Sequence, residues 1–189
     1  MWPYFYIDYW YIVLVIPVMI ASLIIQGIMR STYKKYSSVY VGAGVTGAEM
    51  AQRVLREHGV TDVVVTETGG ELTDHYDPKN KVIKLSSEVY GGRSVSALGV
   101  ACHEAGHAIQ HANSYFPLVA RNAFVPVVNF CSGISWFVIL IGIFMSSDLM
   151  INLGIILFAS AAVFQFITLP VEFNASRRAV AALRRSGRL

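Results

Sequence analysis

Three long apolar runs dominate the chain: about Tyr9 to Met29, Val125 to Met145, and Met150 to Leu169. A helix needs roughly 20 mostly apolar residues to cross a bilayer, so each run predicts a transmembrane span. Trp2, Tyr4, Tyr6, Tyr9, Trp10 and Tyr11 crowd the start of the first, as an aromatic belt at a lipid interface would. That run has no basic region before it and is too long and too aromatic for a cleaved signal peptide. Asn152 and Gln165 dilute the third run.

Between the first and second runs the pattern changes to short periodic segments, about 95 residues that suffice for one small α+β domain. A helix is predicted from Thr46 to about His58, with Thr46 and Glu49 spaced as a capping box, Ala48, Ala51, Val54 and Leu55 on its apolar face, and Gly59 as its stop. Val63–Thr66 and Lys81–Leu85 read as strands, the second preceded by the turn Asp77-Pro78-Lys79-Asn80. Ser94 to Asn113 reads as a helix with Ser94 as N-cap and Ala97, Leu98, Ala101, Ala105 and Ala108 at helical spacing. Gly99 and Gly106 each weaken it by about 1 kcal/mol relative to alanine, unless close packing requires them.

Composition agrees with the spans. Of 189 residues 54% are hydrophobic and only 14% charged, and the mean hydropathy is +0.51. That is too apolar for an ordinary soluble domain. The net charge of +3 is unevenly spread. Asp8 precedes the first span without any Lys or Arg, whereas Arg30, Lys34 and Lys35 follow it. Ser146-Ser147-Asp148 joins the second and third spans, and Arg177, Arg178, Arg184, Arg185 and Arg188 follow the third. The positive-inside rule then places the N-terminus outside, residues 30–124 in the cytosol, a tight hairpin outside and the tail inside. The basic tail is expected to lie against anionic lipid, with no nucleic-acid partner. Cys102 and Cys131 have no pairing pattern and are expected to be buried free thiols, in keeping with a reducing cytosol.

Within the long helix stands His103-Glu104-Ala105-Gly106-His107, an H-E-x-x-H motif. Residues four apart on a helix share a face, so His103 and His107 can grip one metal ion, and Glu104 is placed to act as general base and then acid on a water there. Catalytic zinc usually keeps three protein ligands. His111 is a poor third, because it lies eight residues and about 12 Å along the axis from His103; it is expected beside the site. Glu172, three residues beyond the third span, emerges on the same membrane face as the zinc helix and is the better candidate. Asp74-His75-Tyr76-Asp77 has two readings, a substrate or transition-state contact from His75 or Tyr76, or a polar turn in which Asp77 caps its own backbone.

Three segments carry a family resemblance: Thr73–Pro78, Cys102–His111 and Leu169–Arg178. Together they resemble the YugP-like membrane zinc metallopeptidases of bacteria, over nearly the whole chain and including the order of spans. Members of that family usually continue into a further hydrophobic segment, so a chain ending at Leu189 is expected to be a short or shortened member. Glu172-Phe173-Asn174-Ala175-Ser176 is more distantly similar to the E-[FY]-x-A-D pattern of the HtpX-type membrane proteases. That resemblance implies Glu172 as third zinc ligand and puts Ser176 where a histidine-steadying aspartate would stand, a weaker and uncharged orienter. It also implies that substrate adds as an extra strand to a sheet edge, either the strand before Asp74 or the Val82–Leu85 strand.

The expected architecture is therefore α+β: a small zincin-like cytosolic domain with a helix-borne H-E-x-x-H, anchored by three transmembrane helices. Its divisions are a first span (1–29), a zinc-protease domain (30–124), a helical hairpin (125–169) and a C-terminal helix with the third ligand (170–189). The expected function is Zn²⁺-dependent, gluzincin-like hydrolysis of a peptide or protein substrate, including membrane proteins, at the cytosolic face of a bacterial inner membrane. His103, His107 and Glu172 would hold the metal, Glu104 would be catalytic, and His111 and Ser176 would support the site. His75, Tyr76 and Arg177 are candidate oxyanion contacts among which the sequence does not choose. The rivals are an intramembrane-cleaving protease of the site-2 type, disfavoured because the apolar run before His103 is short, and a non-enzymatic zinc scaffold, disfavoured by the intact Glu104.

Overall fold

The computed structural model describes residues 9–185, apart from Ala43, Glu71 and the Tyr11 side chain. Trp2, Tyr4, Tyr6 and Asp8 of the expected interface, the Tyr11 side chain and Arg188 lie outside the described residues. The elements in chain order are α1 (Tyr9–Ser37), α2 (Gly47–Glu57), β1 (Val64–Thr68), β2 (His75–Asp77), β3 (Val82–Ser86), α3 (Ser87–Tyr90), α4 (Val95–Ala112), α5 (Phe116–Phe144) and α6 (Asp148–Arg185).

Three of these helices are long and apolar enough to cross a membrane. All run further than the apolar patterns. α1 continues to Ser37, α5 begins at Phe116, and α6 passes through Pro170 to Arg185. Hydropathy marks where a helix meets lipid and is blind to polar residues that extend the same helix into water. α5 starts at a Phe116-Pro117 step, where proline's fixed φ suits the first helical turn.

The smaller elements follow local chemistry. Thr46 and Glu49 close a capping box on α2: the Thr46 N–H donates to Glu49 Oε2 (2.9 Å) and the Glu49 N–H to Thr46 Oγ1 (3.3 Å), an arrangement worth about 1 kcal/mol. Gly59 ends the helix at φ +71°, which glycine adopts without Cβ strain. Ser94 caps α4 by accepting the Ala97 N–H (3.2 Å). An isolated bridge between Tyr40 and Ser94, with the Val95 N–H donating to the Val39 carbonyl (2.9 Å), ties the end of α1 to the start of α4.

The sheet has the order β1-β3-β2, with β1 parallel and β2 antiparallel to β3. Strand β2 falls in the Asp74–Asp77 cluster, where neither a substrate contact nor a polar turn implies a strand. The turn itself follows immediately: Asp77 Oδ1 accepts the N–H groups of Lys79 and Asn80. Because β3 is paired on both sides, Val82–Leu85 is not a free edge. The edges are β1 and β2.

The domain core joins α2, the inner face of the sheet and α4, with Met50, Ala51, Ile83, Leu85, Leu98 and Ile109 almost wholly buried. On its other side α4 meets α6. A Cβ at Gly106 would stand 2.9 Å from the Ala175 carbonyl oxygen and 3.2 Å from its Cα. Gly106 therefore fits a close helix approach, whereas Gly99 has nothing within 4 Å. Cys102 is buried, and Cys131, contrary to expectation, is only half-buried. Burial pushes the Cys102 thiol up to about 12, with Glu57 adding to the shift, so it is not a thiolate at neutral pH.

Candidate metal centre

Helix geometry assembles the site. His103 and His107 lie one turn apart on α4 with their Nε2 atoms 3.1 Å from each other. Glu172 of α6 brings Oε2 to 3.3 Å from His103 Nε2 and 3.5 Å from His107 Nε2. One ligand atom from each residue falls within a span of 4.8 Å. The approach that Gly106 permits is what brings α6 this near.

The outward ring nitrogens are tied down. His107 Nδ1 lies 3.0 Å from Gln110 Oε1. Gln110 is fully buried, and its amide group donates to the Val171 carbonyl (2.8 Å) and to Asn174 Oδ1 (3.0 Å). Asn174 Oδ1 also accepts the Arg178 Nε–H (2.8 Å). These partners fix every group in the chain. Since the Gln110 nitrogen faces two acceptors, its oxygen faces His107, so His107 donates from Nδ1 and Nε2 is the nitrogen left to bind a metal, facing Glu172 and His103. His103 Nδ1 lies 3.3 Å from Ser176 Oγ. Two imidazole nitrogens and a carboxylate oxygen facing one point are the borderline N/O donor set that zinc takes, so these residues fit the ion.

Glu104 is buried at 8% exposure. Burial pushes its carboxyl up, while the neighbouring His107 and His103 and the Tyr76 backbone amide oppose the shift. Across from it, β2 supplies His75 and Tyr76, which line the same cleft of about 330 Å³ as His103, Glu104, His107 and Glu172. Asp74 anchors that edge by accepting the Ser86 N–H and hydroxyl (2.7 and 3.1 Å). Burial raises the Tyr76 phenol to about 12, so it stays protonated. Its oxygen is hydrogen-bonded to His111 Nδ1 at 2.8 Å. His111 thus stands beside the triad and holds Tyr76. Arg177 instead lines a separate groove along α6 with Phe173 and Arg184.

Three contributors escaped the sequence reading. Gln110 sits three residues after His107, a same-face spacing that could have marked it as a partner. Asn174 stands inside the Glu172–Ser176 segment, whose spacing gives it no role. Arg121 of α5 reaches 3.8 Å from Glu172 Oε1, and only the early start of α5 places it there.

The family described as "putative neutral zinc metallopeptidase" matches residues 11–189. The curated protein "Putative membrane protease YugP" of Bacillus subtilis (strain 168) is 54% identical over 151 residues, which cover 80% of this chain and 67% of the relative. No solved structure matches. With the family match running from the first long helix through the Glu172 segment, the chain belongs to this zinc metallopeptidase family.

Proposed function

We propose that the chain is a membrane-anchored zinc metallopeptidase that hydrolyses peptide bonds at the cytosolic membrane face. The observation that carries this reading is the convergence of His103, His107 and Glu172 within 4.8 Å, with Glu104 in the same cleft. When bound, zinc lowers the pKa of a coordinated water toward neutrality and polarises the scissile carbonyl. Glu104 takes the proton from the attacking water and returns it to the leaving amine. Gln110 and Ser176 orient the two imidazoles. His75 and Tyr76 line the cleft from β2 and are the candidate contacts to the developing oxyanion; Arg121 brings a further positive charge to its wall. The β2 edge is the one positioned to align an extended substrate.

A juxtamembrane site is favoured over an intramembrane one because α4 packs on α2 and the sheet, whose exposed faces are too polar for hydrocarbon. The deciding experiment is cleavage of fluorescent casein by the zinc-loaded full chain in detergent. Activity lost to chelator and restored by zinc is expected. A metal-loaded, folded chain without turnover would leave the scaffold reading instead.

Orientation gives a second test. In a background with Cys102 and Cys131 replaced by alanine, Ser147→Cys is expected to react with an impermeant maleimide in intact cells, and Ser37→Cys only after lysis. The reverse pattern would overturn the topology.

Gln110 gives a third. Gln110→Leu frees the His107 tautomer and removes the side-chain link from α4 to Val171 and Asn174 of α6, and zinc affinity is expected to fall about 10- to 100-fold. Competition with a chromogenic chelator measures this; wild-type affinity would remove Gln110 from the metal centre.

A further inference from the structure

The cleft ends at Val125 and Glu172, but the helix faces that line it continue along the α5/α6 hairpin. α5 and α6 form an antiparallel hairpin in which Gly142 lies against Ile151, Gly154 against Ile139, Trp136 against Phe158 and Arg121 against Glu172. The same register sets Asn129 opposite Gln165. On α5, Leu118, Arg121, Val125, Asn129, Ser132 and Trp136 recur at three- and four-residue spacing, and so share one face. On α6, Glu172, Leu169, Gln165 and Phe158 share the matching face. One side of the hairpin therefore runs from the metal centre down into the apolar segment, where the exposed Trp136–Phe158 ring pair closes it.

Two side chains on that side are out of place in lipid. Asn129 and Gln165 are exposed, and neither side-chain amide has a hydrogen-bond partner among the described residues. Hydrocarbon does not tolerate unpartnered amides, and intramembrane polar side chains accordingly face partners or function. Pro126 adds to the polarity at this level, because it has no N–H to offer the Asn122 carbonyl. A helical partner satisfies its own backbone and pairs such amides only where it places polar side chains opposite both. An extended polypeptide carries unpaired N–H and C=O groups of its own, and the two needs cancel.

We propose that this face of the α5/α6 hairpin is the substrate track: it receives the unwound end of a membrane-embedded polypeptide, pairs its backbone with Asn129 and Gln165, and leads it to the zinc cleft. The proposal rests on the peptidase reading above and names its substrate class, single-span or multi-span membrane proteins cut beside the lipid boundary. Asn129 lies eight residues from Arg121, about 12 Å along the helix, which an extended chain covers in about four residues. The scissile bond therefore lies about four residues beyond the part of the substrate held in lipid.

The test uses the full chain in phosphatidylethanolamine–phosphatidylglycerol vesicles with a synthetic probe, a peptide of about 20 leucines and alanines followed by an extended polar segment. Benzoylphenylalanine is placed at Asn129 or Gln165, or as controls at Val127 or Val163, in the uncut Glu104→Gln background. Val127 and Val163 are exposed and lie about 200° around their helices from Asn129 and Gln165. Cross-linking to the probe is expected at Asn129 and Gln165 and not at the controls, and products from wild type should end about four residues past the apolar run. The Asn129→Leu/Gln165→Leu variant should keep its zinc while its KM for the probe rises about tenfold, the scale of two lost hydrogen bonds. If wild type cuts the probe but the two faces label equally, or the KM is unchanged, the track is wrong and the peptidase reading stands. Cross-links from Asn129 or Gln165 to α1 or to a second copy of the chain would name another occupant and overturn it too. If zinc-loaded wild type cuts neither probe nor casein, the peptidase reading fails and the track falls with it.

Discussion

Glu104→Gln is expected to keep zinc and fold while hydrolysis falls by at least about 10³-fold, the upper part of the range for loss of a general base. The substitution conserves shape in a position that is only 8% exposed, so packing on α4 is preserved. It exchanges an ionisable oxygen for an amide that cannot accept the water's proton at neutral pH. The three candidate ligands His103, His107 and Glu172 are untouched, and so are Gln110 and Ser176 behind them. Stability should hold or rise slightly, because a buried carboxylate that burial disfavours is replaced by a neutral group. The checks are metal content, the thermal unfolding midpoint and casein turnover on one preparation. Turnover near wild type with full metal occupancy would sink the assignment of Glu104 as base. Loss of metal alongside activity would show that the variant disturbs the ligands and make it the wrong probe for the mechanism.

Much of this architecture is legible in the chain because it rests on short-range patterns. Thr46 and Glu49, Ser94, the paired histidines and the three apolar runs each announce an element or a contact within a few residues. Glu172 needed one further step, the topology that returns α6 to the side of α4. What the sequence concealed depends on tertiary register. Strand β2 is three residues long and is defined by its pairing with β3, so no periodicity could display it. Arg121 reaches Glu172 only because α5 extends two turns above the apolar segment. The seam between α4 and α6 turns on Gly106, whose missing Cβ reads from sequence as a weakness and in the fold as the allowance for Ala175. Gln110 marks the boundary between the two kinds of information: its spacing from His107 is local, but the Val171 and Asn174 acceptors that fix its orientation are about 60 residues on.

The candidate third ligand separates two readings of the site that differ in one residue. Glu172→Ala is expected to lose zinc and activity together, whereas His111→Ala is expected to retain stoichiometric zinc with a partial loss of activity. Glu172 Oε2 lies within 3.5 Å of both Nε2 atoms, so its removal leaves two imidazoles, too few to compete with water and a weak chelator. His111 lies two turns along α4 from His103, and its Nδ1 is engaged by Tyr76. His111→Ala should loosen Tyr76 and hence the β2 wall of the cleft, so its cost belongs in turnover and not in metal. Metal analysis after dialysis against a weak chelator decides, with Arg121→Ala as a comparison that removes a neighbour of Glu172 but no donor atom. Retained zinc in Glu172→Ala with loss in His111→Ala would reverse the assignment, and the role of α6 in the site would have to be read from Asn174 and Ser176 alone.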